Sequence, residues 1–157
     1  MKNLEELFSA LDDALRGGKR LKELTALLAA YDGDDRKQYE KYNTEHYARN
    51  LVKINDQLEM LILCWEIHQG CLVHDHQVKG CLVRILQGEV IENIYKFSGK
   101  PEFLGSSILP AGGIAYKEGN EILHEIFNHS DRRAASIGYA DQIDHPVPIH
   151  FTDLLPI

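Results

Sequence analysis

His74 and His76 lie one residue apart in the stretch Gly70-Cys-Leu-Val-His74-Asp-His76-Gln-Val-Lys-Gly-Cys81. On an extended strand, side chains two apart share a face, with α-carbons roughly 6.5 Å apart. Both imidazoles can then aim at one point while Asp75 faces away. Neutral imidazole is the commonest protein ligand for a transition metal. Two histidines seldom hold an ion well, so a third ligand is expected from elsewhere in the chain. The best candidate is His124, in Gly119-Asn-Glu-Ile-Leu-His124-Glu-Ile-Phe-Asn128. The first stretch reads as a metal-holding edge of a β-barrel.

Elements must exist to carry these residues. Leu4, Leu7, Phe8, Leu11 and Leu15 recur at helical spacing, with Gly17-Gly18 as the stop. A second helix is expected with Leu21, Leu24, Leu27 and Leu28 on its apolar stripe. Both read as core-facing helices. Asp32-Gly33-Asp34-Asp35 reads as a turn, and Arg36 to Lys41 as a short helical piece. From Tyr47 the pattern changes to short strands: Leu51–Ile54, Met60–Trp65, Cys81–Leu86, Val90–Tyr95, Ile114–Tyr116, Leu123–Phe127 and Ala134–Tyr139. Gln87-Gly88-Glu89 reads as the turn of a hairpin. Strands following two helices predict a mainly β, double-sheet jelly roll with a small N-terminal helical cap. The expected layout is one domain over 1–157: a cap over 1–45, a barrel over 46–143, and an extended tail over 144–157 carrying Pro146, Pro148 and Pro156.

Composition narrows the partners. The chain has 157 residues, a formal net charge of −7 and 44% hydrophobic residues, enough for one core. No run of Lys and Arg exceeds two, which argues against nucleic acid or an anionic membrane as partner. The N-terminus lacks the apolar stretch of a signal peptide, and the run Met60–Trp65 is far too short to span a bilayer. Cys64, Cys71 and Cys81 cannot all pair, which suggests free thiols in a reducing compartment, the cytoplasm.

The pattern Gly70-x3-His74-x-His76-x4-Cys81-x6-Gly88 fits the first cupin motif, with Cys81 where that motif usually carries Glu. Gly119-x4-His124-x3-Asn128 fits the second. The chain further resembles the cysteine dioxygenase family of thiol dioxygenases. The residues that carry the likeness are Tyr47-Ala-Arg49-Asn-Leu, Leu61-Ile-Leu-Cys-Trp65, His74-Asp-His76, Cys81, Leu86-Gln-Gly88 and His124. The resemblance implies a cupin jelly roll with non-heme Fe(2+) on His74, His76 and His124. It also implies oxidation of L-cysteine by O2 to cysteine sulfinate in a monomer. With no carboxylate among the ligands, such a site keeps its full double charge and favours an anionic substrate; a thiol bound there is deprotonated. The resemblance assigns Arg49 to the substrate carboxylate, which a guanidinium grips with two parallel hydrogen bonds. Tyr47, two residues earlier, faces the same pocket on a strand.

One strand departs from the family. Its Ser-x-His-x-Tyr aligns with Ser136-Ile-Gly138-Tyr139-Ala140, so Gly138 stands at the His position and Ala140 at the Tyr position. Tyr139 is one position off, and one position on a strand is the opposite face. A one-residue slip or bulge would bring it inward. Tyr139 would then be the catalytic tyrosine and the partner of Cys81 in the family's thioether. Without the slip, Cys81, like Cys64 and Cys71, reads as a small buried hydrophobe. His68 reads as solvated; His46, His129, His145 and His150 receive no role; Asn128 is expected to hold the backbone around His124. Three alternatives stay open: a dioxygenase for another small thiol, a metal- or ligand-binding cupin without turnover, and a cupin enzyme acting on a carboxylate.

Overall fold

The computed structural model describes residues 1–76, 80–119 and 121–141, and for 140 and 141 the backbone only. The tail expected from Asp144, with His145 and His150, lies outside the described residues. The first helix, α1 (Leu4–Arg16), starts at Asn3, whose side chain accepts a hydrogen bond from Glu6 N at 2.8 Å. Its buried face is Leu4, Leu7, Phe8 and Leu11. The expected second helix is interrupted. A 3₁₀ turn at Leu21–Glu23 gives way at Leu24 (φ −99°, ψ 10°) to the short α2 (Thr25–Ala29). Leu21, Leu24 and Leu28 are nevertheless buried. Tertiary burial at about 1.5–3 kcal/mol per leucine, not local helix propensity, holds so short a segment. A further 3₁₀ turn covers Asp35–Tyr39.

The strands are β1 (Ala48–Ile54), β2 (Leu58–Trp65), β3 (Cys81–Gln87), β4 (Glu89–Phe97), β5 (Pro101–Pro110), β6 (Ile114–Lys117), β7 (Ile122–Phe127) and β8 (Ala134–Asp141). Among the described residues they form two antiparallel sheets, ordered β1-β2-β8-β3-β6 and β5-β4-β7. This is the jelly roll expected from the sequence. The strand β5 is an addition. It runs along the edge of its sheet with both faces largely exposed, so no apolar alternation marks it. An edge also tolerates the prolines at its two ends.

Register sorts the five-stranded sheet into two faces. Leu61 pairs with Gly138 and Leu63 with Ser136; Val83 pairs with Gly138 and Ile85 with Ser136. That face looks into the barrel, where Trp65, Val83, Ile85, Val90, Ile126 and Ala134 cluster. The other face carries Met60, Ile62, Cys64, Leu82, Ile137 and Tyr139 and packs under α1, α2 and Tyr31. Strands buried on both faces read as continuous apolar runs, which explains Met60–Trp65. Arg84 also sits on the cap side, donating to the backbone oxygens of Leu28 (2.9 Å), in the last turn of α2, and Tyr31 (2.7 Å), just past it. A cation is favourable where such carbonyls lack helical partners. The hairpin expected at Gln87-Gly88-Glu89 does not form: Gly88, at φ +72°, turns the chain from β3 in one sheet to β4 in the other, and a Cβ there would stand 2.6 Å from the Arg133 carbonyl oxygen. Only glycine meets both demands.

Candidate metal centre

The stretch from Gly70 to His76 is not the strand that the His-x-His spacing suggested. It touches β7 through isolated bridges, Gly70 with Phe127 and His74 with His124. Four residues on one side span three on the other, so an extra residue is accommodated as in a bulge. Gly70 permits this approach: a Cβ there would lie 2.6 Å from the Ile126 carbonyl oxygen. At the second bridge the backbones of His74 and His124 exchange hydrogen bonds at 3.0 and 3.1 Å. His76 N donates to the Gly119 carbonyl at 3.0 Å. The irregular segment is thus pinned on both sides of the two histidines.

The rings converge. His124 Nε2 lies 2.9 Å from His76 Nε2 and 3.1 Å from His74 Nε2. One candidate ligand atom from each of the three residues lies within 4.8 Å of the others. Three nitrogens bound at about 2.1 Å and at right angles around an ion would stand roughly 3.0 Å apart. Two of the three separations match that spacing and the third is at most 4.8 Å, so the three imidazoles fit a common divalent transition metal.

The hydrogen bonds behind the rings favour the same arrangement. His74 Nδ1 faces the Leu72 carbonyl at 2.7 Å, an acceptor only, so the proton belongs on Nδ1 and the lone pair on Nε2. His124 Nδ1 donates to Glu92 Oε2 at 2.8 Å, with the same consequence. His76 is pushed down to about 2, first by burial and then by the neighbouring charges of His124, His74 and Lys117, so its ring is neutral at ordinary pH.

Glu92 is a site residue that the sequence reading missed. It is 3% exposed, on β4, diagonal to His124 across the β4–β7 pair. Its other oxygen, Oε1, pairs with Lys117 Nζ at 3.2 Å. Burial opposes its ionisation, but the His124 hydrogen bond and the charges of His124 and Lys117 prevail and hold the carboxyl below its usual range. Glu92 shares its face with Val90 and Ile94, but Ile91 and Tyr95 on the other face are equally apolar, so phase did not mark it. Lys117, opposite Cys81 on β6, was likewise missed. His76, Cys81, Val83, Ala115, Lys117, His124 and Ile126 enclose a cavity of about 10 Å³, room for an ion or a single water.

The remaining predicted residues divide. Arg49 is exposed on β1, opposite Leu63 and so on the barrel-facing register. It lies close enough to Tyr47 to hydrogen-bond it, and close enough to lower the Cys71 and Cys81 thiols. Burial dominates at Cys81 and pushes it up to about 11, so its thiol is protonated at neutral pH. Tyr47 stacks on Trp65, ring centroids 5.9 Å apart and 15° from parallel. Asn128 is fully buried, but it secures the neighbouring loops and not the His124 backbone. Its amide donates to the carbonyls of Trp65, Glu66 and Arg132. His46, His68 and His129 are exposed.

Tyr139 requires a correction. The β2–β8 ladder pairs without a shift from Leu58–Asp141 to Trp65–Ala134, so the slip needed to turn Tyr139 inward does not occur. Tyr139 pairs with Met60 and Leu82, is 0% exposed and packs beneath the helical cap. Cys81 faces the barrel from the other side of the sheet. Neither a catalytic role at the metal nor a thioether to Cys81 is open to Tyr139. The barrel-facing position is Gly138, where an added Cβ would meet only Leu63 and Val83, both at 3.8 Å.

A two-sheet jelly roll with three histidines converging at the junction of its second sheet and the Gly70–His76 segment defines a cupin with a metal-competent site. Solved structures agree on the fold. A protein from Thermus thermophilus superposes with a TM-score of 0.59 at 21% identity, covering 70% of this chain and 97% of that one. An RmlC-like cupin from Shewanella frigidimarina does so at 0.52 and 15%, covering 69% and 88%. The chain belongs to the cysteine dioxygenase type I family, whose pattern matches residues 3–140. It is 29% identical over 142 residues to human cysteine dioxygenase type 1, covering 85% of this chain and 71% of the human protein. Among the described residues, no helix is long and apolar enough to cross a membrane.

Proposed function

We propose that the chain is a non-heme iron thiol dioxygenase that converts L-cysteine and O2 to cysteine sulfinate. The observation that carries this reading is the all-imidazole ligand set: His74, His76 and His124 converge on one point, and the nearby carboxylate, Glu92, stands behind His124 instead of beside it. Ferrous iron, when bound, supplies the positive charge that deprotonates a ligated thiol and the open positions where thiolate and dioxygen meet. Both oxygen atoms go to sulfur, so RSH and O2 give RSO2H without a further reductant.

The rest falls to the protein. Arg49 receives the substrate carboxylate in a paired, charge-assisted contact. Tyr47, braced by Trp65, keeps that guanidinium at the pocket edge. Cys81, held protonated by burial, does not compete with the substrate thiolate for the ion. A single domain, acting as a monomer in the reducing cytoplasm, accords with three free cysteines.

Oxygen uptake tests the reading. Consumption with L-cysteine should depend on added ferrous iron and yield sulfinate by mass spectrometry. Arg49→Ala should lower kcat/KM roughly 10- to 100-fold, the worth of hydrogen bonds to a charged group. Stoichiometric metal binding with no oxygen consumed by any thiol would leave a binding cupin without turnover. A second reading, a different small thiol as substrate, is favoured by Gly138. Where the family carries an imidazole, this chain leaves the barrel face bare against Leu63 and Val83. Comparison of cysteine with bulkier thiols decides between the two.

A further inference from the structure

Glu92 and Lys117 are both turned into the barrel. Lys117 comes from β6 of the five-stranded sheet and Glu92 from β4 of the other, so their 3.2 Å contact crosses the interior. Lys117 is 17% exposed and lines the same small cavity as His76 and His124. A buried ion pair is a weak source of stability, because desolvating both charges offsets most of their attraction. Its position is the more telling feature. Glu92 Oε2 receives the Nδ1 proton of His124, and Glu92 Oε1 receives Lys117.

We propose that Glu92 and Lys117 form a charge-compensated positioning pair for the metal centre. Glu92 fixes the His124 ring with Nε2 toward the ion, and Lys117 cancels the charge that the carboxylate would otherwise add. The inference rests on the three-histidine metal site and deepens it. A carboxylate behind a ligand raises the ligand's basicity and lends it negative character. Uncompensated, it would move the site toward the electrostatics of a two-histidine, one-carboxylate centre and weaken its hold on an anionic thiolate. The ammonium restores the balance: one negative and one positive charge leave the ion its full double charge. The fold thus keeps the orienting hydrogen bond without the charge that comes with it. Both are positioning residues, since neither is a ligand.

The test uses the full chain, with cobalt(II) as the metal probe and azide as the anion probe. Glu92→Gln retains an acceptor for His124 but removes the charge. Cobalt affinity should fall roughly 10- to 100-fold, while azide affinity of the loaded protein rises roughly tenfold. Lys117→Met should do the reverse: cobalt binding is kept or tightened and azide binding falls roughly tenfold. Lys117→Arg, which preserves the charge, should restore azide binding. The double variant should return azide affinity to about the original value. Opposite movement of the two affinities is the signature of charge, because mere structural damage lowers both.

The inference is overturned if Lys117→Met lowers cobalt and azide affinity together, or if neither single change moves azide binding. Should Glu92→Gln fail to fold, Lys117→Met against Lys117→Arg still decides. If the unmodified chain binds no cobalt stoichiometrically, the metal-site reading itself fails, an outcome separate from failure of the pair.

Discussion

Tyr139→Phe separates two accounts of this barrel. If Tyr139 acted at the metal or were joined to Cys81, removing its hydroxyl would impair turnover and abolish the thioether. The structure requires the opposite. Tyr139 is 0% exposed under the helical cap, and its hydroxyl has no hydrogen-bond partner among the described atoms. Burial also raises it well above the ordinary tyrosine value, so the group is a neutral phenol. An unsatisfied buried hydroxyl costs roughly 1–3 kcal/mol in desolvation. Phenylalanine keeps the ring and its packing while removing that penalty. Taking the low end, because the hydroxyl also loses some packing contacts, the variant should gain about 1 kcal/mol. For a chain of 157 residues that is a rise in Tm of roughly 2–4 °C. Thermal unfolding should be followed on metal-free protein, since bound metal adds its own stabilisation. Oxygen uptake with iron present should be unchanged, and the intact mass of the parent protein should show no loss of two hydrogens. A variant that is less stable by 1 kcal/mol or more, or a parent that carries a Cys81–Tyr139 link, would refute the assignment of Tyr139 to the outer face.

Other measurements probe the elements around the site. Gly88→Ala should lose roughly 1–3 kcal/mol in urea unfolding, because φ is +72° and the added Cβ meets the Arg133 carbonyl at 2.6 Å. Gly138→Ala should be tolerated or gain a few tenths of a kcal/mol, since its Cβ lands in ordinary contact with Leu63 and Val83. In metal-free protein, His76 binds its proton near 2 when folded and near 6.5 when unfolded. The unfolded chain thus holds more protons between those values. This contribution is fully present above about pH 6.5 and lost as pH falls toward 2, by at most about 1.4 kcal/mol per pH unit. Urea unfolding at pH 5 and pH 7 should show the decline, and His76→Gln should flatten it.

The sequence disclosed the three converging histidines better than their support. The paired histidines, His124 and their motif spacing were legible because ligand chemistry tolerates few residue types. The strand assigned to His74 and His76 was not correct: two-residue spacing is necessary for a strand but does not require one, and glycine at position 70 lets a bulged segment do the same work. The interrupted second helix kept its apolar stripe, because burial of Leu21, Leu24 and Leu28 depends on where the side chains land. Glu92 was hidden by its neighbours. Ile91 and Tyr95 on the outer face are as apolar as Val90 and Ile94 on the inner one, so alternation in β4 did not show which side was core. Strand β5 escaped because an edge with two exposed faces carries no pattern.

The departure from the family's Ser-x-His-x-Tyr lies on β8, on one side of the barrel. His124 and Glu92 belong to the β5-β4-β7 sheet, and His74 and His76 to the segment bridged to β7. Gly138, the outward Tyr139, Cys81 and Arg49 all belong to the five-stranded sheet across the interior. Strand register couples residues tightly within a sheet, since one step reverses every side chain. Between facing sheets the ties are the apolar packing of Val83 and Ile85 against Val90 and Ile126 and the Lys117–Glu92 contact. A change on β8 can therefore empty the substrate-facing wall without displacing a single imidazole. By this division, the change on β8 bears on the wall across from the three histidines and leaves their convergence intact. Metal affinity should accordingly be insensitive to substitution at position 138, and the choice among thiols sensitive to it.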